Sequence, residues 1–272
     1  MTFLRSHLTV LFGCFFLITV AQPNSIVHEG ELGFSIGGAH YFGDLNNRTA
    51  LNSPKPSAGI FFRKQFGNHV ALRLSGHIAR LGYADGYNTN YYQRQRNLSF
   101  NTTITEAALR GDFNFFKFIP GSPYYRFTPY FTLGVGTFSF DPYALIDEDP
   151  TKHRLRDLRT EGQAEPYARQ ALCFPVGLGL KYNLRNNINI GVEVTHRNTT
   201  TDYLDDVSTV YAGDDIFLPG TPAYILQDRS LTLPRLGVKG KQRGFSPQKD
   251  QYIFAEVSVS FSFTSYKCAD PR

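Results

Sequence analysis

Along most of the chain, apolar residues alternate with polar or small ones at a period of two, the pattern of a strand whose two faces meet different surroundings. Eight windows carry it, at roughly 30–43, 57–66, 69–82, 98–116, 127–140, 170–184, 188–197 and 250–263. The sixth puts Leu172, Phe174, Val176, Leu178, Leu180 and Tyr182 on one face and Cys173, Gly177, Gly179 and Lys181 on the other. The third sets Val70, Leu72, Leu74 and Ile78 against Ala71, Arg73, Ser75 and His77. Phe61 blurs the second window, and the fifth carries aromatics on both faces.

A soluble sandwich would alternate in the same way, so the connections decide the architecture. Gly67-Asn68 and Arg185-Asn186-Asn187 are tight hairpin signals, and about ten residues around Pro120-Gly121 join the fourth and fifth windows. The other connections run to about 13, 16, 28 and 50 residues. Short and long links alternating around the chain predict an all-β fold: an eight-stranded antiparallel transmembrane β-barrel with short periplasmic turns and long extracellular loops. Its aliphatic and aromatic positions then face lipid. Arg73, Glu106, Arg110, Asp112, Lys181, Glu193 and Glu256 point into a lumen that eight strands leave just wide enough to fill with side chains. Such charges must pair, which predicts a plugged lumen and no conducting pore. Phe115, Tyr124, Tyr125, Phe127, Phe261 and Phe263 are placed to form an aromatic girdle at the periplasmic interface.

Composition agrees with this reading. Of 272 residues, 24 are Phe, 16 Tyr and 24 Gly, and only 19% are charged, which excludes a helical bundle or a disordered chain. The net charge of +5 is spread along the chain, with no clustered footprint for nucleic acid.

Arg5 and His7 precede an apolar run from Leu8 to Ala21, too short for an anchor helix. The run reads as a Sec-type signal peptide (1–21) cleaved near Ala21, leaving 22–272 as one barrel domain. A lipoprotein cleavage before Cys14 is the rival, disfavoured by bulky Phe12 and by the apolar run beyond. Cys173 and Cys268 would sit at opposite ends of the barrel, which predicts no disulfide between them.

Candidate chemistry is sparse. His40, His77 and His196 could serve a membrane-boundary enzyme, but no Ser-His-acid arrangement can be assembled around them, so no catalytic residues and no cofactor are expected. Asp202, Asp205 and Asp206, followed by Asp214-Asp215, could bind calcium. The spacing matches no EF-hand, and the expectation is a solvated loop. Four Asn-x-Ser/Thr sequons, at Asn47, Asn97, Asn101 and Asn198, carry little information in a bacterial host.

Several strings stand out beyond the barrel pattern: Gly43-Asp44-Leu45, Arg96-Asn97-Leu98-Ser99-Phe100, Tyr125-Arg126-Phe127-Thr128-Pro129-Tyr130, Thr160-Glu161-Gly162-Gln163, Pro175-Val176-Gly177-Leu178-Gly179 and Thr201-Asp202-Tyr203-Leu204-Asp205-Asp206-Val207-Ser208. Together they resemble the PorG-like outer-membrane β-barrel family of the Bacteroidota, over about residues 30–265, with the last string the most specific. The resemblance implies a non-enzymatic outer-membrane component of the type IX secretion system. It would tie a periplasmic ring, built from a lipoprotein and its partner subunit, to the outer membrane and the translocon, and serve gliding motility where the host glides. Outer-membrane lipids and ring subunits are the expected partners, and nucleic acid is not. The segment from about Ala212 to Asp250, with Lys239-Gly240-Lys241-Gln242-Arg243, departs from the resemblance. Two other readings are an OmpA/OmpX-like structural or adhesive barrel and a lipid-modifying barrel enzyme. The periplasmic turns and the tail Thr264 to Arg272 are the parts able to reach a ring.

Overall fold

A computed structural model describes residues 26–46, 51–147 and 149–266. The leader, Cys14, Asn47, Cys268 and the tail beyond 266 lie outside these residues.

Eight long strands form the wall: β1 (Ile26–Phe42), β2 (Lys55–Phe66), β3 (Val70–Ala84), β4 (Ser99–Asn114), β5 (Phe127–Ser139), β8 (Gln170–Arg185), β9 (Ile188–Thr199) and β10 (Gln251–Tyr266). Each pairs antiparallel with its neighbours in the chain, and the meander closes where β1 pairs with β10 from Ile26↔Tyr266 to Phe42↔Gln251. A further hairpin, β6 (Tyr143–Ile146) and β7 (Asp149–Arg154), attaches to β4 through Asn101↔Tyr143. The period-two pattern misses it because both strands are short and β7 is polar and charged. No described helix is long and apolar enough to cross a membrane.

At one end the strands join through tight turns. Gly67 (φ 67°) and Asn186 (φ 46°) supply the left-handed residues that two of these hairpins require. The third short link, 115–126, folds inward and sets Phe118, 1% exposed, under the barrel mouth. The other end carries four long connections, called here loop 1 (43–54), loop 2 (85–98), loop 3 (140–169) and loop 4 (200–250).

Every wall strand contributes to an exposed apolar belt. Phe34 (63%), Leu74 (59%) and Leu178 (61%) are among its open members, joined by Ile60, Leu109, Leu133, Val192 and Val259 from the remaining strands. Monomers in water do not keep a continuous apolar surface of this extent, whereas a barrel in lipid requires one. Phe115, Tyr124, Tyr125, Phe127, Phe261 and Phe263 are all exposed at or near the hairpin end.

The two ambiguous windows resolve by direction. Phe61 points inward beneath the guanidinium groups of Arg63 and Arg73, 5.0 and 5.6 Å from its ring. Gly33 leaves the space its ring occupies. In β5, Tyr130 and Phe138 point inward, while Phe127, Leu133 and Val135 face out. Toward the loop end the polarity of the wall inverts. Outward positions become polar at Arg80, Thr103, Thr137, Gln170 and Asn198, all exposed. Inward positions become Tyr41, Leu81, Tyr83, Phe100, Ile104, Phe138, Tyr252 and Phe254, all buried. The strands there have left the lipid and enclose an ordinary apolar core, which runs on into the loops through Leu45, Leu98, Leu155, Leu204, Val207 and Leu226.

Candidate functional site

Two regions carry the polar chemistry. The first is the membrane-level lumen. Strand alternation sends Arg63, Arg73, Arg110, Lys181 and Arg197 inward together with Glu31, Glu106, Asp112, Glu193 and Glu256, all buried. Arg63 bridges Asp112 (2.7 Å) and Glu31 (2.9 Å). Arg73 bridges Asp112 (2.9 Å) and Glu193 (2.6 Å), and Arg110 adds a second contact to Glu193 at 2.7 Å. The Tyr130 hydroxyl also donates to Glu193, at 2.6 Å. Lys181 Nζ lies 4.4 Å from the Phe118 ring that closes the hairpin end. Nearer the loop end, Glu106 accepts from Tyr252 (2.7 Å) and pairs with Arg197 (3.3 Å). Glu256 is held by Ser35 (3.1 Å), Ser57 (2.9 Å) and His77 (3.2 Å).

All seven lumen residues expected from the sequence are therefore in the lumen, and Glu31, Arg63, Arg197 and His77 join them. The signal for these four was the same alternation: each shares the inward parity of its strand. The five cations and five carboxylates named above balance in number. A cavity of about 10 Å³ remains among Ser35, Arg73, His77, Arg110, Glu193 and Glu256, room for at most one water. The lumen is filled.

The second region is the cap formed by the loops. Arg96 of loop 2 makes a bidentate pair with Asp85 (2.7 and 2.8 Å) and donates to the carbonyls of Arg243 (2.8 Å) and Asp44 (3.2 Å). Arg243 of loop 4 reaches Glu161 of loop 3 at 3.2 Å, and donates to the Asp206 carbonyl at 2.5 Å. Glu161 in turn accepts from the backbone of Ser208 and Thr209. Asp44 of loop 1 accepts from the Phe245 amide at 2.9 Å. Two arginines thus knit all four loops together.

The acidic string is not the solvated loop expected from its composition. Asp202 is 4%, Asp205 1% and Asp206 0% exposed. Their side chains go to separate partners: Asp202 accepts from Ser208 (2.6 Å), Asp205 from Tyr41 (2.5 Å), and Asp206 from Tyr167 (2.9 Å) and Thr160. Among the described residues no group of three could hold a metal ion. Burial dominates their ionisation. It pushes Asp202 up to about 7, and Asp206 up to about 6 despite the neighbouring Arg243. Asp205 and Asp250 are raised well above the usual carboxyl range by burial first, then Asp205 by Asp44 and Asp202, and Asp250 by Asp205, Asp202 and Asp44. The Tyr41 hydroxyl lies 2.5 Å from Asp205 and 3.1 Å from Asp250, and its single proton serves one of them at a time.

The histidines are dispersed. His77 lies in the lumen between Glu106 and Glu256, His40 is buried against Asn46 and Phe42, and half-buried His196 lies on the outer face beside Phe42. Cys173 is buried and free.

A closed barrel with an apolar belt, a filled lumen and a folded cap belongs to the class of small transmembrane β-barrels. The chain belongs to the family described as Domain of unknown function (DUF6089), whose match covers residues 8–212. Solved structures similar to it include Neisserial surface protein A (10% identity, 89% of this chain and 100% of that one, TM-score 0.43). Ail, the attachment invasion locus protein of Yersinia pestis, is 12% identical over 86% of this chain and 99% of its own, with a TM-score of 0.41. The N-terminal β-barrel domain of Pseudomonas aeruginosa OprF is 13% identical over 87% and 99%, with a TM-score of 0.36. No curated protein matches the chain.

Proposed function

We propose that the protein is a non-enzymatic outer-membrane component of the type IX protein secretion machinery. It would be exported through the Sec pathway, and it would tie the periplasmic ring complex to the outer membrane, supporting export and, where the host glides, motility. The hairpin end then faces the periplasm and the ring subunits, and the capped end faces outside. The observation that carries a scaffold role is the lumen, whose balanced buried ion pairs close around a cavity of only about 10 Å³. The cap supports the type IX reading in particular. Asp44, Arg96, Thr160, Glu161 and the string from Thr201 to Ser208 come from four of the segments that carry the PorG-like resemblance, and they meet there.

A clean deletion strain tests this reading. Type IX cargo is expected to disappear from the cell surface, and the tagged wild-type protein is expected to co-purify with ring subunits. Normal cargo export in the deletion strain overturns the proposal. A structural or adhesive barrel of the OmpA/OmpX kind is favoured by one observation: Leu218, Leu231 and Leu233 of loop 4 are 74%, 67% and 92% exposed on the cap. Loop 4 variants that lose adhesion while export stays normal would select that alternative. An altered lipid A mass spectrum in the deletion strain would select a lipid-modifying enzyme.

A further inference from the structure

Where β3 and β4 leave the lipid, a cavity of about 230 Å³ opens at the edge of the cap, lined by Lys55, Tyr83, Tyr87, Ser99, Asn101 and Arg229, with Asp147 at its rim. Lys55 is half-buried and has no ion-pair partner among the described residues. Arg229 donates to Ser99 Oγ at 2.9 Å, and its carboxylate neighbour Asp147, 3.7 Å away, is 96% exposed and so well screened.

We infer that this cavity binds the phosphate ester of a sugar. Lys55 and Arg229 supply charge for the phosphate, and a guanidinium suits its oxygens geometrically. Ser99 and the Asn101 amide supply hydrogen bonds to ring hydroxyls. The half-exposed Tyr87 ring, 5.5 Å from that of Tyr83 and perpendicular to it, offers an aromatic face to the sugar. The volume is several times what a bare oxyanion, a few water molecules in size, would fill. Two sources can present this chemistry: a soluble sugar phosphate, or the phosphorylated headgroup of a membrane glycolipid. The outward positions Gly82, Arg80 and Ile78 descend from the cavity in two-residue steps to the apolar belt, a track that an acyl-bearing ligand would follow.

Isothermal titration of the full-chain protein in detergent micelles tests the inference. The probes are inorganic phosphate, glucosamine 1-phosphate, monophosphorylated lipid A and its dephosphorylated form. The sugar phosphate is expected to bind at least about tenfold tighter than inorganic phosphate. Lys55→Gln and Arg229→Gln should each weaken it by about tenfold or more. Lys239→Gln, on the far part of loop 4 and paired with Asp215, should leave it unchanged. Retained heat-modifiable mobility on gels certifies each variant as folded. Tighter binding of phosphorylated lipid A than of the free sugar phosphate assigns the site to a glycolipid, and equal binding assigns it to a soluble ester. Failure of both esters to bind, sugar phosphate binding no tighter than inorganic phosphate, or binding indifferent to the Lys55 and Arg229 variants overturns the inference.

Discussion

Arg243 and Glu161 meet at 3.2 Å with both side chains buried, although one belongs to the longest loop and the other to the loop before it. Removing one partner of such a pair leaves an uncompensated buried charge, at a cost of about 3–5 kcal/mol. Arg243→Met should therefore detach loop 4 while the wall, which does not depend on it, stays closed. Limited proteolysis of the folded variant should cut within 200–250 at a rate at which the wild type resists. Arg243→Lys, which keeps the charge but loses the fork geometry, should fall between.

The cap should also loosen as pH rises. An aspartate ordinarily titrates near 3.9, and folding raises Asp206 to about 6 and Asp202 to about 7. A raised carboxyl pKa means that the folded state holds the proton more tightly than the unfolded one. The stabilisation is present in full at low pH and is lost as pH climbs through the folded value. Amide exchange in loops 1 and 4 should accelerate between about pH 4, near the unfolded value, and about pH 7, the higher folded value, beyond its intrinsic base dependence. Asp250→Asn, which replaces the carboxyl with a neutral acceptor beside Tyr41, should flatten that dependence. Equal exchange protection at about pH 4 and 7, after correction for intrinsic rates, would count against raised carboxyl values in the cap.

The wall was legible because alternation is a local signal: Leu178 and Gly179 declare their faces without reference to any distant residue. Lumen charges such as Arg73 and Glu193 were legible for the same reason. Arg63 was obscured by Phe61 beside it, whose inward aromatic makes sense only with Gly33 across the strand pair. The cap was not legible. Asp205 and Asp206 look like solvated loop residues until Tyr41, Thr160 and Arg243, 164, 46 and 37 positions away, are brought to them. No periodicity encodes contacts of that range.

In the lumen, Glu193 takes Arg73, Arg110 and the Tyr130 hydroxyl at once. Glu193→Ala strands the Arg110 guanidinium, leaves Arg73 paired with Asp112 alone, and should cost about 3–5 kcal/mol in urea unfolding from detergent. The shorter side chain also opens space beside the existing small cavity. Wild-type protein in planar bilayers should give no stepwise conductance, because its polar centre is closed by ion pairs at 2.6 to 2.9 Å. Steady single-channel steps from the wild type would contradict a filled lumen.

A charge scan along the outer face should locate the membrane. Leu178 sits in the belt with its side chain 61% exposed, whereas Asn198 lies beyond the point where outward positions turn polar. An arginine at the lipid midplane of a barrel costs about 2–4 kcal/mol, falling to about 0–1 near the interface. Leu178→Arg should therefore destabilise the barrel strongly in lipid vesicles, and Asn198→Arg should be close to neutral. Both variants leave the lumen pairs and the cap untouched, so the difference reads the lipid boundary alone. If the two cost the same, the belt does not face lipid.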